Sequence, residues 1–150
     1  MTLNKIAWAF TDERYNSYKE FNHAVIAYQK DIHRDENCWK PDEIVFDFPA
    51  LQIQYKAWIN GPEDLLENET LIDDHLDVFE EETEEDIYRV EILAKLTADN
   101  GKNFSALEFL MKAHNQQASK DLGDHHFFQG TDVNSEAMGE LPTCYINCGS

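Results

Sequence analysis

The side chains best suited to bind a metal lie near the C-terminal end of the sequence. His125 and His126 precede Cys144 and Cys148, and imidazole nitrogens and thiolates are the ligands that zinc prefers. The two cysteines lie on or just past a predicted strand, where a spacing of four residues separates them by roughly 13 Å. Cys38 completes no zinc pattern, so structural cysteines are favoured. We expect no metal and no other cofactor.

The catalytic groupings in the sequence are also incomplete. Asp124 next to His125 would supply a base and a group to orient it, but adjacent histidines on a strand point to opposite faces of a sheet. The sequence contains no glycine-rich phosphate loop, no Gly-x-Ser-x-Gly and no His-Glu-x-x-His. We therefore expect no catalytic residue. A small metal-dependent or His/carboxylate enzyme remains an alternative.

Acidic residues are concentrated in one part of the chain. The 150 residues include 30 Asp and Glu against 12 Lys and Arg, which gives a net charge of −18. Residues 63–91, here called the acidic block, contain 14 of the acidic residues and only Arg89 on the basic side, so they carry −13. Such a charge repels nucleic acid and anionic membranes and attracts a basic protein.

The middle of the acidic block is predicted to form a short helix. Residues 70–73 resemble an N-terminal cap, and apolar side chains recur at helical spacing from Leu71 to Phe79. Carboxylates occupy the remaining surface, so the helix would bury one stripe and present its charges to a partner. The candidate partner-binding residues in the block are Asp73, Asp74, Asp77, Phe79, Glu80 and Glu81.

Trp39 is a further candidate for partner binding. It lies in the polar loop 34–42, where a large ring either covers the edge of the core or is exposed to a partner. Together with Phe79, it is the apolar anchor that the sequence offers beside the carboxylates.

The periodicity of apolar residues predicts a single α+β domain, residues 1–150. Two main helices each begin with Ser-x-x-Glu, at about residues 18–32 and 106–119. Alternating residues predict strands at 3–10, 44–48, 51–59, 88–97, 125–129 and 143–147. This order gives two β-α-β-β units, 1–60 and 86–150, which form a possible pseudo-repeat joined by an acidic helical connector, 61–85. We expect both helices to pack on an antiparallel sheet.

The sequence also favours a cytoplasmic location. Three cysteines cannot all pair within the chain, and a low, odd count is typical of a reducing compartment. The sequence has no apolar run long enough to span a bilayer and no apolar segment typical of a secretory signal.

The C-terminal region contains the stretch Gly123 to Gly130, the segment Pro142 to Tyr145 and the final Gly149-Ser150. With these segments, its short length, its acidity and its α+β pattern, the whole chain resembles the small bacterial immunity proteins of contact-dependent and polymorphic toxin systems. The resemblance implies that the protein binds and neutralises a cognate basic toxin, often a nuclease, carried as the C-terminal domain of a secreted effector. The resemblance assigns no functional role to any individual residue of this sequence. The alternative is an adaptor domain whose acidity serves only solubility.

Overall fold

The computed structural model describes residues 1–72, 87–134 and 141–150. These residues form two helices, a six-stranded sheet and a two-stranded sheet, which confirms the predicted α+β fold. In chain order the elements are β1 (Trp8–Ala9), α1 (Tyr18–Asp31), β2 (Ile44–Phe46), β3 (Ala50–Ile59), β4 (Glu69–Leu71), β5 (Tyr88–Thr97), β6 (Phe104–Ser105), α2 (Ala106–Gln117), β7 (Phe127–Asn134) and β8 (Thr143–Gly149).

The large sheet is built around β3 and β5. Its strand order is β1-β7-β8-β3-β5-β4, and β3 pairs with β5 antiparallel over all ten residues of each strand. In contrast, β8 joins β3 in parallel, and only over Gln52–Gln54 and Thr143–Tyr145. The sheet is therefore mixed, and the expected antiparallel sheet is wrong at this junction. Alternation of residue types defines the two faces of a strand, but it does not define the direction of the neighbouring strand.

Alternating burial along β3 separates an inner face from an outer face of the sheet. Leu51, Ile53 and the other odd-numbered residues of β3 are buried in one cluster with the inner side chains of both helices, such as Phe21 and Leu110. The even-numbered residues of β3 point to the opposite, outer face, where burial is partial or absent: Ala50, Gln52, Gln54, Lys56 and Trp58. The helices therefore cover one side of the sheet.

Both helices start at the predicted serines, but only half of each capping box is present. Ser17 Oγ accepts a hydrogen bond from the Glu20 N–H at 3.4 Å, and Ser105 Oγ accepts one from the Glu108 N–H at 3.2 Å. The Glu108 carboxylate accepts from the Asp99 N–H at 2.8 Å, and so it ties the preceding turn to the helix.

The first predicted β-α-β-β unit has the expected order, but the second has the extra strand β6 before α2, and the strand pairing of the two halves is not repeated. β2 pairs with β6 in the small sheet, whereas β7 and β8 pair with each other in the large one. The predicted helix start at residues 70–73 is wrong, because Glu69–Leu71 forms β4 against the middle of β5. Leu71 is buried there, opposite Ile92, so packing on the sheet overrides the cap-like sequence. The rest of that predicted helix lies outside the described residues.

His114 of α2 is fully buried, although the sequence marks it only as one residue of a helical face. The indole Nε1–H of Trp8 donates to His114 Nδ1 at 3.1 Å, and His114 Nε2 lies 2.6 Å from the Glu13 carbonyl oxygen. Because indole can only donate, Nδ1 accepts and Nε2 carries the proton. Burial lowers the pKa of His114 despite the carbonyl, which favours the charged form. The ring is therefore neutral in the folded protein.

Truncation in α2 tests this core. Leu110 is 0% exposed, so Leu110→Ala should lower the free energy of unfolding by about 2–5 kcal/mol through lost contacts and a residual cavity. Leu107→Ala, in the same helix at a half-buried position, should cost less. Chemical denaturation measures both variants, and equal losses would contradict the packing described.

Acidification should destabilise the protein through His114. Its pKa is lower in the folded chain than its ordinary value of 6.5, so the unfolded chain binds more protons and stability falls as the pH drops below 6.5. Urea midpoints at about pH 7.5 and about pH 5.5 measure this loss. His114→Gln should reduce it, whereas His23→Gln, at an exposed position of α1, should leave it intact. The same pH slope in both variants would assign the loss to other groups.

Candidate functional site

Only the two ends of the acidic block lie in the described part of the chain. The predicted contacts Asp73, Asp74, Asp77, Phe79, Glu80 and Glu81 fall within residues 73–86, outside the described residues. Before this segment, the Ile72 N–H donates to the Glu91 carbonyl at 3.2 Å, and after it the chain enters β5 at Tyr88. Residues 73–86 contain nine carboxylates and no Lys or Arg. The residues directly before and after this acidic segment are thus held at one edge of the sheet.

A buried ion pair holds β4 at that edge. Lys120 Nζ lies 2.9 Å from Glu69 Oε1, and the two side chains are 1% and 0% exposed. Glu69 Oε2 accepts from the Tyr55 hydroxyl and from Gln116 Nε2, and Oε1 accepts from the Leu66 N–H at 2.8 Å. Burial acts to raise the pKa of Glu69, but these hydrogen bonds and Lys120 outweigh it, so the pKa is lowered. The carboxylate is therefore ionised and fully partnered.

The amide side chains of Asn68 and Gln116 extend this network. Asn68 Nδ2 donates to Gln116 Oε1 at 2.9 Å, and Gln116 Nε2 donates to Asn68 Oδ1 at 3.0 Å. Asn68 also bonds the Lys95 carbonyl on β5. We call Tyr55, Asn68, Glu69, Gln116 and Lys120 the polar clamp. The clamp joins β3, β4 and the end of α2, and the sequence offered no signal for it, because Glu69 is one carboxylate among many.

Trp39 covers the edge of the core. It is 5% exposed, and its indole N–H donates to Asn22 Oδ1 on α1 at 2.7 Å. Of the two arrangements that the polar loop allows, Trp39 thus adopts the one in which its ring covers the edge of the core. The expectation that Trp39 anchors a partner is therefore wrong, because its ring has almost no free surface.

Trp58, rather than Trp39, is the exposed tryptophan. It lies on the outer face of β3 with 40% of its surface exposed, and the Arg89 guanidinium carbon of β5 lies 6.0 Å from its ring centroid. The sequence carried a signal for this position, because Trp58 shares the parity of Gln54 and Lys56 in the alternation of β3.

A cavity of about 420 Å³ opens beside Trp58 where β3 and β8 separate. The parallel pairing of β3 and β8 ends after Gln54 and Tyr145. Beyond these residues β3 remains paired with β5, and β8 remains paired with β7. Buried residues of the two strands and exposed residues of the outer face line the cavity together, among them Ala57, Ile146, Lys56, Trp58 and Arg89.

The cysteines and histidines do not form a metal site in the part of the chain that the structure describes. There, no three His, Cys, Asp or Glu residues are grouped so that they could hold a metal ion. Cys38, Cys144 and Cys148 are free thiols, and burial raises the pKa of Cys144 and of Cys148 to about 12, so both are neutral.

His125 and His126 precede β7 instead of lying on it, so their predicted place on a strand is wrong. They follow the turn around Gly123, whose φ is +64°, and the His126 carbonyl accepts from the Phe10 N–H at 2.8 Å just before β7 begins. His125 Nδ1 lies 2.8 Å from Asp124 Oδ1, and both side chains are more than half exposed. Such an exposed pair is far from the buried, oriented arrangement typical of a catalytic base.

Comparison with known proteins identifies no relative of this chain. No protein-family model matches the sequence, and neither a curated protein nor a solved structure matches it. Among the described residues, neither helix has the length and apolar character that crossing a bilayer requires. The functional argument therefore depends on the residues themselves.

Breaking the polar clamp should destabilise the fold. Glu69→Gln leaves the Lys120 ammonium buried without a counter-charge, which should lower the free energy of unfolding by about 3–5 kcal/mol. The double variant Glu69→Gln, Lys120→Met removes both charges and should recover much of that loss. A double-mutant cycle by chemical denaturation measures the coupling. If the two single losses simply add, the ion pair contributes no coupling and this account of the clamp fails.

Proposed function

We propose that the protein is an immunity protein, which binds a basic toxin through the acidic block and neutralises it in the cytoplasm. The observation that carries the proposal is that nine carboxylates without a Lys or Arg connect Ile72, which is bonded to Glu91, and Tyr88, where β5 begins, at one edge of the sheet. The resemblance of the chain to such proteins supports the same role.

The strands on either side of residues 73–86 are firmly held. β4 is held by the polar clamp, β5 pairs with the full length of β3, and β4 and β5 are neighbours in the sheet. Dense charge of one sign steers an oppositely charged protein during diffusion and raises its association rate. Salt screens this attraction over about 8 Å at physiological ionic strength.

A toxic nuclease is a suitable partner for such a surface. It must present Lys and Arg to hold the phosphates of its substrate, and the same side chains bind carboxylates. Occupying them would block the substrate or hold the enzyme away from it. By contrast, Cys144 and Cys148 are neutral thiols and Asp124–His125 is exposed, so these residues favour the enzyme alternative less.

Charge reversal tests the role of the acidic block. The partner used is the purified C-terminal domain of a secreted effector encoded beside this gene. Asp73→Lys, Asp74→Lys and Asp77→Lys together should slow association by about tenfold or more at low salt and abolish protection of cells that produce the toxin. Stopped-flow binding and growth measure the two effects.

A matched control separates local from overall charge. Asp12→Lys, Asp42→Lys and Asp47→Lys change the net charge by the same amount at exposed positions of the described chain that form no ion pair with other described residues. We expect a smaller change in rate and intact protection. Equal effects of both triple variants would show that only net charge matters. Absence of any such effector gene, or a block variant that binds and protects normally, would favour the adaptor alternative.

A further inference from the structure

The cavity beside Trp58 has a position typical of ligand sites. It lies beyond the last paired residues of the parallel strands β3 and β8, on the carboxyl side of their ladder. Ligands commonly bind where neighbouring parallel strands part at their carboxyl ends. Its volume of about 420 Å³ falls within the usual range for small-molecule pockets.

The rim of the cavity is cationic, although the protein is strongly acidic. Lys56 and Arg89 are exposed on the outer face, and neither forms an ion pair with another residue of the described chain. The Arg89 guanidinium carbon lies 6.0 Å from the Trp58 ring centroid, within reach of a cation–π contact. Asp124 is the carboxylate among the described lining residues, and Glu91 lies opposite Lys56 in the β3–β5 ladder, where it accepts from the Tyr145 hydroxyl at 3.2 Å.

Part of the cavity lining is apolar and buried. Ala57 and Ile146 contribute this part. The backbone N–H of Trp58 donates to the Asp121 carbonyl at 2.7 Å, which brings the turn before β7 next to Trp58. Gly123 suits this turn because its φ is +64°, a conformation that residues with a side chain rarely adopt. The backbone of Trp58 is therefore held beside the cavity.

We propose that this cavity binds a small aromatic carboxylate. The ring of the ligand would pack on Ala57 and Ile146 and against Trp58. Its carboxylate would accept paired hydrogen bonds from Arg89 and a further one from Lys56. A neutral aromatic molecule would lack the hydrogen bonds to Arg89 and Lys56, and an aliphatic anion would lack the packing of a ring. The described residues that line the cavity include none of the predicted partner-binding carboxylates, so this proposal does not depend on the proposed immunity function.

Titration with naphthalene carboxylate tests the site, and naphthalene carboxamide is the neutral comparison. We expect saturable shifts in the amide NMR spectrum at the Trp58 indole N–H and at backbone amides of 121–125 and 146–148. The carboxylate should bind about tenfold more tightly than the carboxamide, as expected for a charge-assisted contact. Shifts spread over the molecule, or equal affinity of the two compounds, would overturn the proposal.

Substitutions at the rim assign the affinity to named side chains. Arg89→Gln and Lys56→Gln should each weaken binding of naphthalene carboxylate by roughly fivefold to tenfold. Lys95→Gln is the matched control, because Lys95 lies on β5 with the same parity as Arg89 but does not line this cavity. Thermal unfolding verifies that all variants are folded. Unchanged affinity in both rim variants, or an equal loss in the control, would refute the assignment.

Discussion

The ion pair between Glu69 and Lys120 connects the parts of this protein on which its proposed function depends. Both charges are removed from water, which costs several kcal/mol per ion unless partners replace the lost hydration. Tyr55, Gln116 and the Leu66 N–H supply those partners to the carboxylate. The start of the acidic block is thereby attached to the centre of the sheet. A hydrophobic pair of the same size would pack as well, but it would place no geometric demand on the position of β4.

β3 serves both candidate sites because its side chains alternate. Tyr55 points inward and joins both the polar clamp and the cavity lining, whereas Lys56 and Trp58 line the cavity from the outer face. The antiparallel ladder with β5 supports both roles, since it sets Arg89 opposite Trp58. One strand therefore positions a buried anchor and an exposed binding surface through the two faces of the same backbone.

The sequence predicted the elements better than their assembly. Alternation from Leu51 to Ile59 and the two serine caps are local signals, and the structure places strands and helices there. The parallel junction of β3 and β8 depends on contacts between residues about ninety positions apart, for which a single sequence has no local signal. Leu71 shows the same limit, because its cap-like surroundings yield to packing against Ile92.

The candidate site was harder to predict than the fold, for a related reason. The charge of residues 73–86 is evident from composition alone. The clamp is not, because a carboxylate at Glu69 differs from its neighbours only through the partners that folding brings to it. The alternation along β3 contained a signal for the exposure of Trp58 that the sequence-based prediction did not use. The polar loop around Trp39 allowed an exposure that Asn22 and the core do not permit.

The two outermost strands of the large sheet are both very short, and this bears on aggregation. β1 has two residues and β4 has three, so neither offers a long row of free backbone groups to a strand from another molecule. Beyond β1, the side chain of Asn4 accepts from the Thr131 N–H at 3.4 Å and occupies part of the neighbouring edge of β7. At the opposite edge of the sheet, the sequence after β4 contains nine carboxylates within residues 73–86, and these would repel the same edge of a second molecule. The edges of the large sheet, where a β-protein is most vulnerable to pairing with other molecules, thus offer little to fibre formation.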